Sequence, residues 1–123
     1  MKTAELNGLA LDYAVTLIEN PDALKYGVDD WRQRRKYETK NGEFLFRWAS
    51  SWAQGGLIIE REWLDITPWP NESDEKLQWQ CKQHDSIDCV AFGPTPLIAA
   101  MRCYVASKRG DEIDIPTELM EGK

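Results

Sequence analysis

The sequence contains few of the residues that mark specialised protein classes. It has only one histidine and three cysteines in 123 residues, so neither a disulfide framework nor a histidine-rich metal site is indicated. No stretch approaches the roughly 20 consecutive apolar residues of a membrane helix, and the first residues lack the pattern of a secretory leader. We therefore expect a cytoplasmic protein with free thiols and no membrane partner.

Basic residues are fewer than acidic ones in this sequence. The chain has 15 lysines and arginines against 21 acidic residues, a formal net charge of -6. Binding to nucleic acid over a broad surface needs a basic face, so a nucleic-acid partner is disfavoured. The run Trp31–Tyr37 interleaves aromatics with four cations. Acidic neighbours at Asp29 and Asp30 favour a solvated surface there, with phosphate binding as the minority alternative.

Hydrophobic residues make up 42% of the chain, enough to form a core, and we expect one globular domain over residues 1–123. Apolar residues spaced by three and four predict a helix from Ala4 to Glu19, with Thr3 as its cap and Pro21 as its stop. A second helix is predicted over residues 96–109, because Thr95 suits the cap and proline and glycine stand at its two ends.

Four short segments have the composition of strands. They are Leu57–Ile59, Trp63–Ile66, Leu77–Cys81 and Ile87–Phe92, and the last two would form a hairpin through residues 84–86. Residues 21–41 are predicted as a loop or a short helix, Phe44–Trp48 as a short strand or a buried loop edge, and residues 67–75 as a loop. The fold class expected is α+β: a small antiparallel sheet with two principal helices packed on one face.

Two stretches, Trp52–Glu62 and Gly93–Lys108, resemble the NinX family of small proteins from tailed bacteriophages and prophages. The resemblance extends to Thr3–Glu19 and to Gly110–Pro116. The family usually has proline where this chain has Leu57, which restores a backbone donor. The resemblance implies phage origin, expression inside a bacterium and a dispensable accessory role, but it implies no reaction.

The segment from residue 52 to residue 56 is the first candidate binding element. A turn there would let Trp52 stack on a planar group while Gln54 and the backbone amides of Gly55 and Gly56 approach a ligand. The same residues also fit a tight turn that feeds a buried strand, with Trp52 in the core.

The start of the second helix is the other candidate. Its free amides and partial positive charge would receive an anion beside Thr95, with Arg61 or Arg102 supplying further charge. An ordinary helix cap is the alternative, because the segment lacks a phosphate-loop or dinucleotide pattern.

Neither a metal site nor a catalytic site is favoured. Cys81, His84, Asp85 and Cys89 include zinc ligands, but their spacing lacks a paired half-site. The histidine has only Asp85 beside it, and the charges of residues 60–62 are typical of a solvated face. We expect no catalytic residues, no cofactor and no enzyme activity.

The leading hypothesis is a non-enzymatic phage accessory protein that acts by binding, in one version by sequestering a small nucleotide-like host signal against host defence. The ligand site would lie within one chain or at a junction between copies. The alternative is a protein interaction module that modulates a host or phage factor through an exposed aromatic surface, with Trp63, Trp69 and Trp79 as candidate anchors.

Overall fold

The computed structural model describes residues 1–37, 40, 44–69, 74–84 and 89–119, with Lys76 described in its backbone alone. These residues contain helices α1 (Gly8–Glu19), α2 (Val28–Arg34), α3 (Trp52–Glu62) and α4 (Pro96–Arg109). They also contain strands β1 (Leu64–Pro68), β2 (Trp79–Gln83) and β3 (Val90–Gly93). The expected α+β class is confirmed.

The three strands form one antiparallel sheet in the order β1-β2-β3. Cys81 in the middle strand pairs with Ile66 on one side and with Ala91 on the other. The predicted hairpin is therefore confirmed as β2 and β3. Its connection falls partly on residues 85–88, which lie outside the described residues.

Helix α4 lies against all three strands and is the centre of the fold. It begins and ends at the predicted residues, and the amide of Ile98 donates to Oγ1 of Thr95 across 3.1 Å. The predicted apolar face is buried throughout: Leu97, Ala100, Met101, Tyr104 and Val105. Helices α1 and α3 pack on α4, and α3 also reaches β1.

The first helix begins later than predicted. Residues Thr3–Glu5 form a separate 3₁₀ turn, and α1 starts at Gly8. Thr3 does not cap a helix, because its amide donates to the carbonyl of Asp111 and its hydroxyl donates to that of Gly110. The N-terminal residues are thus bound to the segment after α4.

The prediction of a turn at residues 52–56 and a strand at residues 57–59 is wrong. Both segments belong to α3. The apolar residues Ile58 and Ile59 follow Gly55 at helical spacing and face the protein, whereas Leu57 is exposed. Packing against α4 outweighs the strand preference of two β-branched residues, which is weak by comparison.

The remaining segments are short. Residues 21–34 hold a 3₁₀ turn, Pro21–Leu24, and α2. Residues 44–50 form turns in which Phe46 is buried, which fits the loop-edge alternative. Strand β1 extends into the predicted loop, a 3₁₀ turn occupies Glu75–Leu77, and residues 70–73 lie outside the described residues. Among the described helices, none has the length and apolar character needed to cross a membrane.

Candidate functional site

An open groove of about 310 Å³ lies where the N-termini of α3 and α4 meet. Two predicted site residues, Trp52 and Thr95, line it together. The other lining residues are apolar or small: Ala49, Ser50, Pro96, Leu97 and Ile98. The groove combines an aromatic wall with two helix ends, which suits a planar ligand that carries an anionic group.

The helix ends supply the polar character of the groove. Ser51 precedes α3 and makes no side-chain cap, so the first amides of this helix depend on other acceptors. Thr95 caps α4 by accepting from Ile98 across 3.1 Å, but its hydroxyl hydrogen can still donate to a ligand. Neither arginine of the predicted site lines this groove.

Trp52 is the dominant exposed side chain at the groove. Trp52 is 56% exposed. Its ring lies close to Gly56, because a Cβ added to Gly56 would lie 3.8 Å from Cε3 of Trp52. Such an exposed ring can stack on a planar ligand. The alternative in which Trp52 belongs to the core is wrong.

The other residues of the predicted turn have structural tasks. The amide of Gly55 donates to Ser51 across 2.8 Å within the helix, so it is not free for a ligand, and the amide of Gly56 lies inside the same helix. Gln54 accepts from the amide of Arg47 across 2.7 Å and donates to the carbonyl of Phe44. It holds the segment before α3 in place.

Arg61 belongs to a separate ionic cluster. Its guanidinium donates to both carboxylate oxygens of Glu19 across 2.9 and 2.7 Å, and to Glu62 across 3.1 Å. Since α3 rises about 1.5 Å per residue, Arg61 lies roughly 13 Å along the axis from Trp52. Tyr104 also donates to Glu19, and Lys108 lies 3.0 Å from Glu62.

Arg102 is buried and faces the other side of α4. It donates through Nε to the carbonyl of Leu6 across 2.7 Å and through Nη1 to that of Phe92 across 2.8 Å. Burial lowers its pKa, with Glu5 opposing the shift. Arg102 therefore links the chain start to β3, and the structure does not bring it to the groove.

A second groove of about 410 Å³ lies at the start of α1. Its lining includes Glu5 and Asn7 with the apolar side chains of Met1, Leu9 and Leu119. It offers no aromatic wall, and Glu5 would repel an anion. It therefore suits the predicted ligand less well than the groove at Trp52.

The three thiols approach one another beneath α4. Sγ of Cys89 lies 3.9 Å from Sγ of Cys103, and interaction with the thiol of Cys81, together with burial, raises the pKa of Cys103. Burial raises the pKa of Cys89 to about 12, so its thiol stays protonated at neutral pH. Within the described residues no three metal-ligating side chains are placed to hold an ion, and Asp85 of the predicted set lies outside them.

The three tryptophans of the alternative prediction differ in exposure. Trp63 and Trp69 are 68% and 47% exposed, while Trp79 is half-buried and packs against the core. Trp63 contacts His84 and Trp69 contacts Phe92, each edge to face. Only Trp63 and Trp69 are available as surface anchors.

The start of α4 was a predicted binding element, but the contribution of residues 49 and 50 to the groove was not predicted from the sequence. Ser50 and Ser51 directly before an apolar segment are a helix-start signal, and that signal would have placed Trp52 in the first turn of a helix. No local signal indicates that this turn meets the start of α4, because the two lie more than 40 residues apart in the sequence.

Comparison with known proteins assigns the chain to a family. No curated protein matches the chain. The family model described as bacteriophage P22 NinX matches residues 2–108, a range that includes the lining of the groove, helices α1 to α3 and all of α4 except its last residue. The resemblance noted in two blocks of sequence is thereby confirmed over most of the chain, and the protein belongs to the phage NinX family.

Proposed function

We propose that this phage accessory protein acts by binding a small planar, anionic ligand of nucleotide type in the groove between α3 and α4. The observation that carries the proposal is the meeting of exposed Trp52 with the N-terminus of α4 in one groove. Trp52 would stack on the base, while the hydroxyl of Thr95 and the amide of Leu97 would receive the phosphate, because Pro96 has no amide hydrogen and the amide of Ile98 already donates to Thr95. The binding is non-enzymatic, and it would sequester a host signal and so oppose host defence.

None of the described residues that line the groove has a charged side chain, which limits the ligand chemistry. Among these described residues the helix ends supply the positive potential, so the groove favours one exposed phosphate over a long phosphate chain, since a helix end stabilises one nearby anion by about 1 kcal/mol. Stacking supplies most of the affinity.

Titration of the purified protein with nucleoside monophosphates and cyclic dinucleotides tests this proposal. Trp52→Ala is expected to weaken binding about tenfold or more, because it removes a base-stacking contact. Trp63→Ala is the matched control, since Trp63 is also a largely exposed tryptophan but lies at the other end of α3. No binding of any of these probes, or equal affinity in the two variants, would overturn the proposal. Recovery of a chemically altered nucleotide would overturn its non-enzymatic part.

The second candidate function is a protein interaction module, supported by the exposure of Trp63 and Trp69. Native mass spectrometry of protein purified from infected bacteria separates the two candidates. A nucleotide-sized adduct lost in Trp52→Ala supports the ligand site. A stoichiometric host protein lost in Trp63→Ala and retained in Trp52→Ala supports the module.

A further inference from the structure

Strand β1 is an edge strand whose outer side faces no other strand in the described part of the chain. The amide of Trp69 donates to Gln78 across 2.8 Å, and that of His84 donates to Trp63 across 3.2 Å. In an antiparallel ladder, alternate residues turn their backbone groups to the same neighbour. The backbone groups that point to the outer edge are therefore those of Leu64, Ile66 and Pro68. Pro68 has no amide hydrogen, so it leaves no unpaired donor at this edge.

Two exposed tryptophans flank this edge symmetrically. Trp63 lies three residues before Ile66 and Trp69 lies three residues after it. Because Leu64 is buried and side chains alternate along a strand, we infer that both rings lie on the face of the sheet away from α4. There Trp63 contacts His84 at 5.5 Å and Trp69 contacts Phe92 at 5.8 Å between ring centroids. A partner strand places a tryptophan opposite each of these two when it runs antiparallel to β1 and has two tryptophans six residues apart.

We propose that a second copy of this chain pairs its β1 antiparallel with this edge, about a two-fold axis at Ile66. Each Trp63 then lies opposite the partner's Trp69, and the two sheets become continuous. This interface shares no residue with the ligand groove, which is lined by residues 49, 50, 52 and 95–98.

The backbone and the polar side chains are both complementary in this register. Ile66 exchanges hydrogen bonds with its counterpart and Leu64 donates to the partner's Pro68, so the pairing makes about four hydrogen bonds between chains. On the exposed face, Asp65 lies opposite the partner's Thr67, whose hydroxyl can donate to the carboxylate. No like charges stand directly opposite each other. Stacking of Trp63 on the partner's Trp69 would bury the two most exposed aromatic side chains on this face of the sheet.

Sedimentation velocity over a series of concentrations tests the proposal on the full chain. We expect a dimer that dissociates on dilution. Thr67→Asp places a second carboxylate opposite Asp65 at both symmetry-related positions and should weaken dimerisation about tenfold. Thr67→Lys should preserve or strengthen the dimer in a salt-sensitive way, and Thr67→Asn is the uncharged control. Thr67 is exposed, so none of these changes disturbs the core.

Hydrogen exchange supplies a second measurement. The amides of Leu64 and Ile66 should exchange more slowly as concentration rises, while those of residues on the ligand groove should not change. A chain that stays monomeric at every concentration, or a dimer that responds equally to Thr67→Asp and Thr67→Lys, would overturn the proposal. Either result leaves the nucleotide titration unaffected, so the two proposals fail separately.

Discussion

At the scale of single residues, Glu19 is the point where three helices are joined. Its carboxylate accepts from Arg61 of α3 and from Tyr104 of α4. The hydrogen bond from Arg61 is the main cause that lowers the pKa of Glu19, against the opposing effect of burial. The hydrogen bond from Lys108 is likewise the main cause that lowers the pKa of Glu62. Arg61, a predicted ligand residue, thus donates from all three of its nitrogens to residues of this junction.

Acid should weaken this junction. Because both glutamates have lowered pKa values when folded, the stability they contribute is fully present above about pH 4.5, their ordinary value, and is lost as the pH falls through the folded-state values. We expect Glu19→Gln to cost about 1 kcal/mol at neutral pH, discounted for the exposure of Arg61, and nothing in strong acid. Urea unfolding of both proteins at several pH values measures this. Glu60→Gln, on the exposed side of α3, is the control; a cost for Glu19→Gln that persists in acid would contradict the prediction.

At the scale of elements, α3 shows how packing decides a short apolar segment. Leu57–Ile59 has strand composition, but the helix buries Gly55 and Ile58 on one side. A Cβ on Gly55 would lie 2.4 Å from the carbonyl oxygen of Trp48 and 2.6 Å from Cδ1 of Leu97. Glycine therefore permits the close approach of α3 to α4, which forms the groove.

Alanine substitutions at the two adjacent glycines should have opposite effects. Gly55→Ala is expected to destabilise the fold by about 1–3 kcal/mol, because the new methyl group overlaps a backbone oxygen. Gly56→Ala meets nothing closer than 3.8 Å and should stabilise it by up to about 1 kcal/mol through helix propensity. Thermal unfolding of both variants measures the difference. Equal effects would contradict the assignment of Gly55 as the packing position.

At the scale of the whole molecule, two polar side chains of α1, one turn apart, bind residues 31 and 35 and residues 48 and 49. Asp12 is paired with Arg35 and accepts from the amide of Ala49 across 3.0 Å. Thr16 accepts from the indole nitrogens of Trp31 and Trp48 across 3.3 and 3.0 Å. Burial raises the pKa of Asp12, with the bond from Ala49 and the charge of Arg35 opposing it. This network positions the segment that leads into α3 and the groove.

Removing the buried carboxylate should be the most damaging of these changes. Asp12→Ala leaves Arg35 buried without its partner and is expected to cost about 3–5 kcal/mol. Asp29→Ala, on the exposed side of α2, should change stability by less than about 0.5 kcal/mol. Urea unfolding monitored by tryptophan fluorescence measures both. A loss below about 1 kcal/mol for Asp12→Ala would contradict the role given to this pair.

Local signals predicted those parts of the fold whose cause is local. Thr95, Pro96 and Gly110 determined both ends of α4, and alternating residues determined the β2–β3 hairpin, because capping and strand alternation act over a few neighbouring residues. Trp52 and Thr95 were also identified as candidates from their own chemistry. Their positions in one groove were not predictable in that way.

Tertiary contacts decided the rest. The pairing of Thr3 with Gly110 and Asp111 moved the start of α1, and contact with α4 made residues 57–59 helical. Arg61 pairs with Glu19 and Arg102 donates to the carbonyl of Leu6, and both partners lie far away in the sequence. The sequence by itself thus determined the α+β class, the central helix and the hairpin. Only the folded chain decided which candidate residues meet, because burial and long-range hydrogen bonding outweigh local propensity by several kcal/mol.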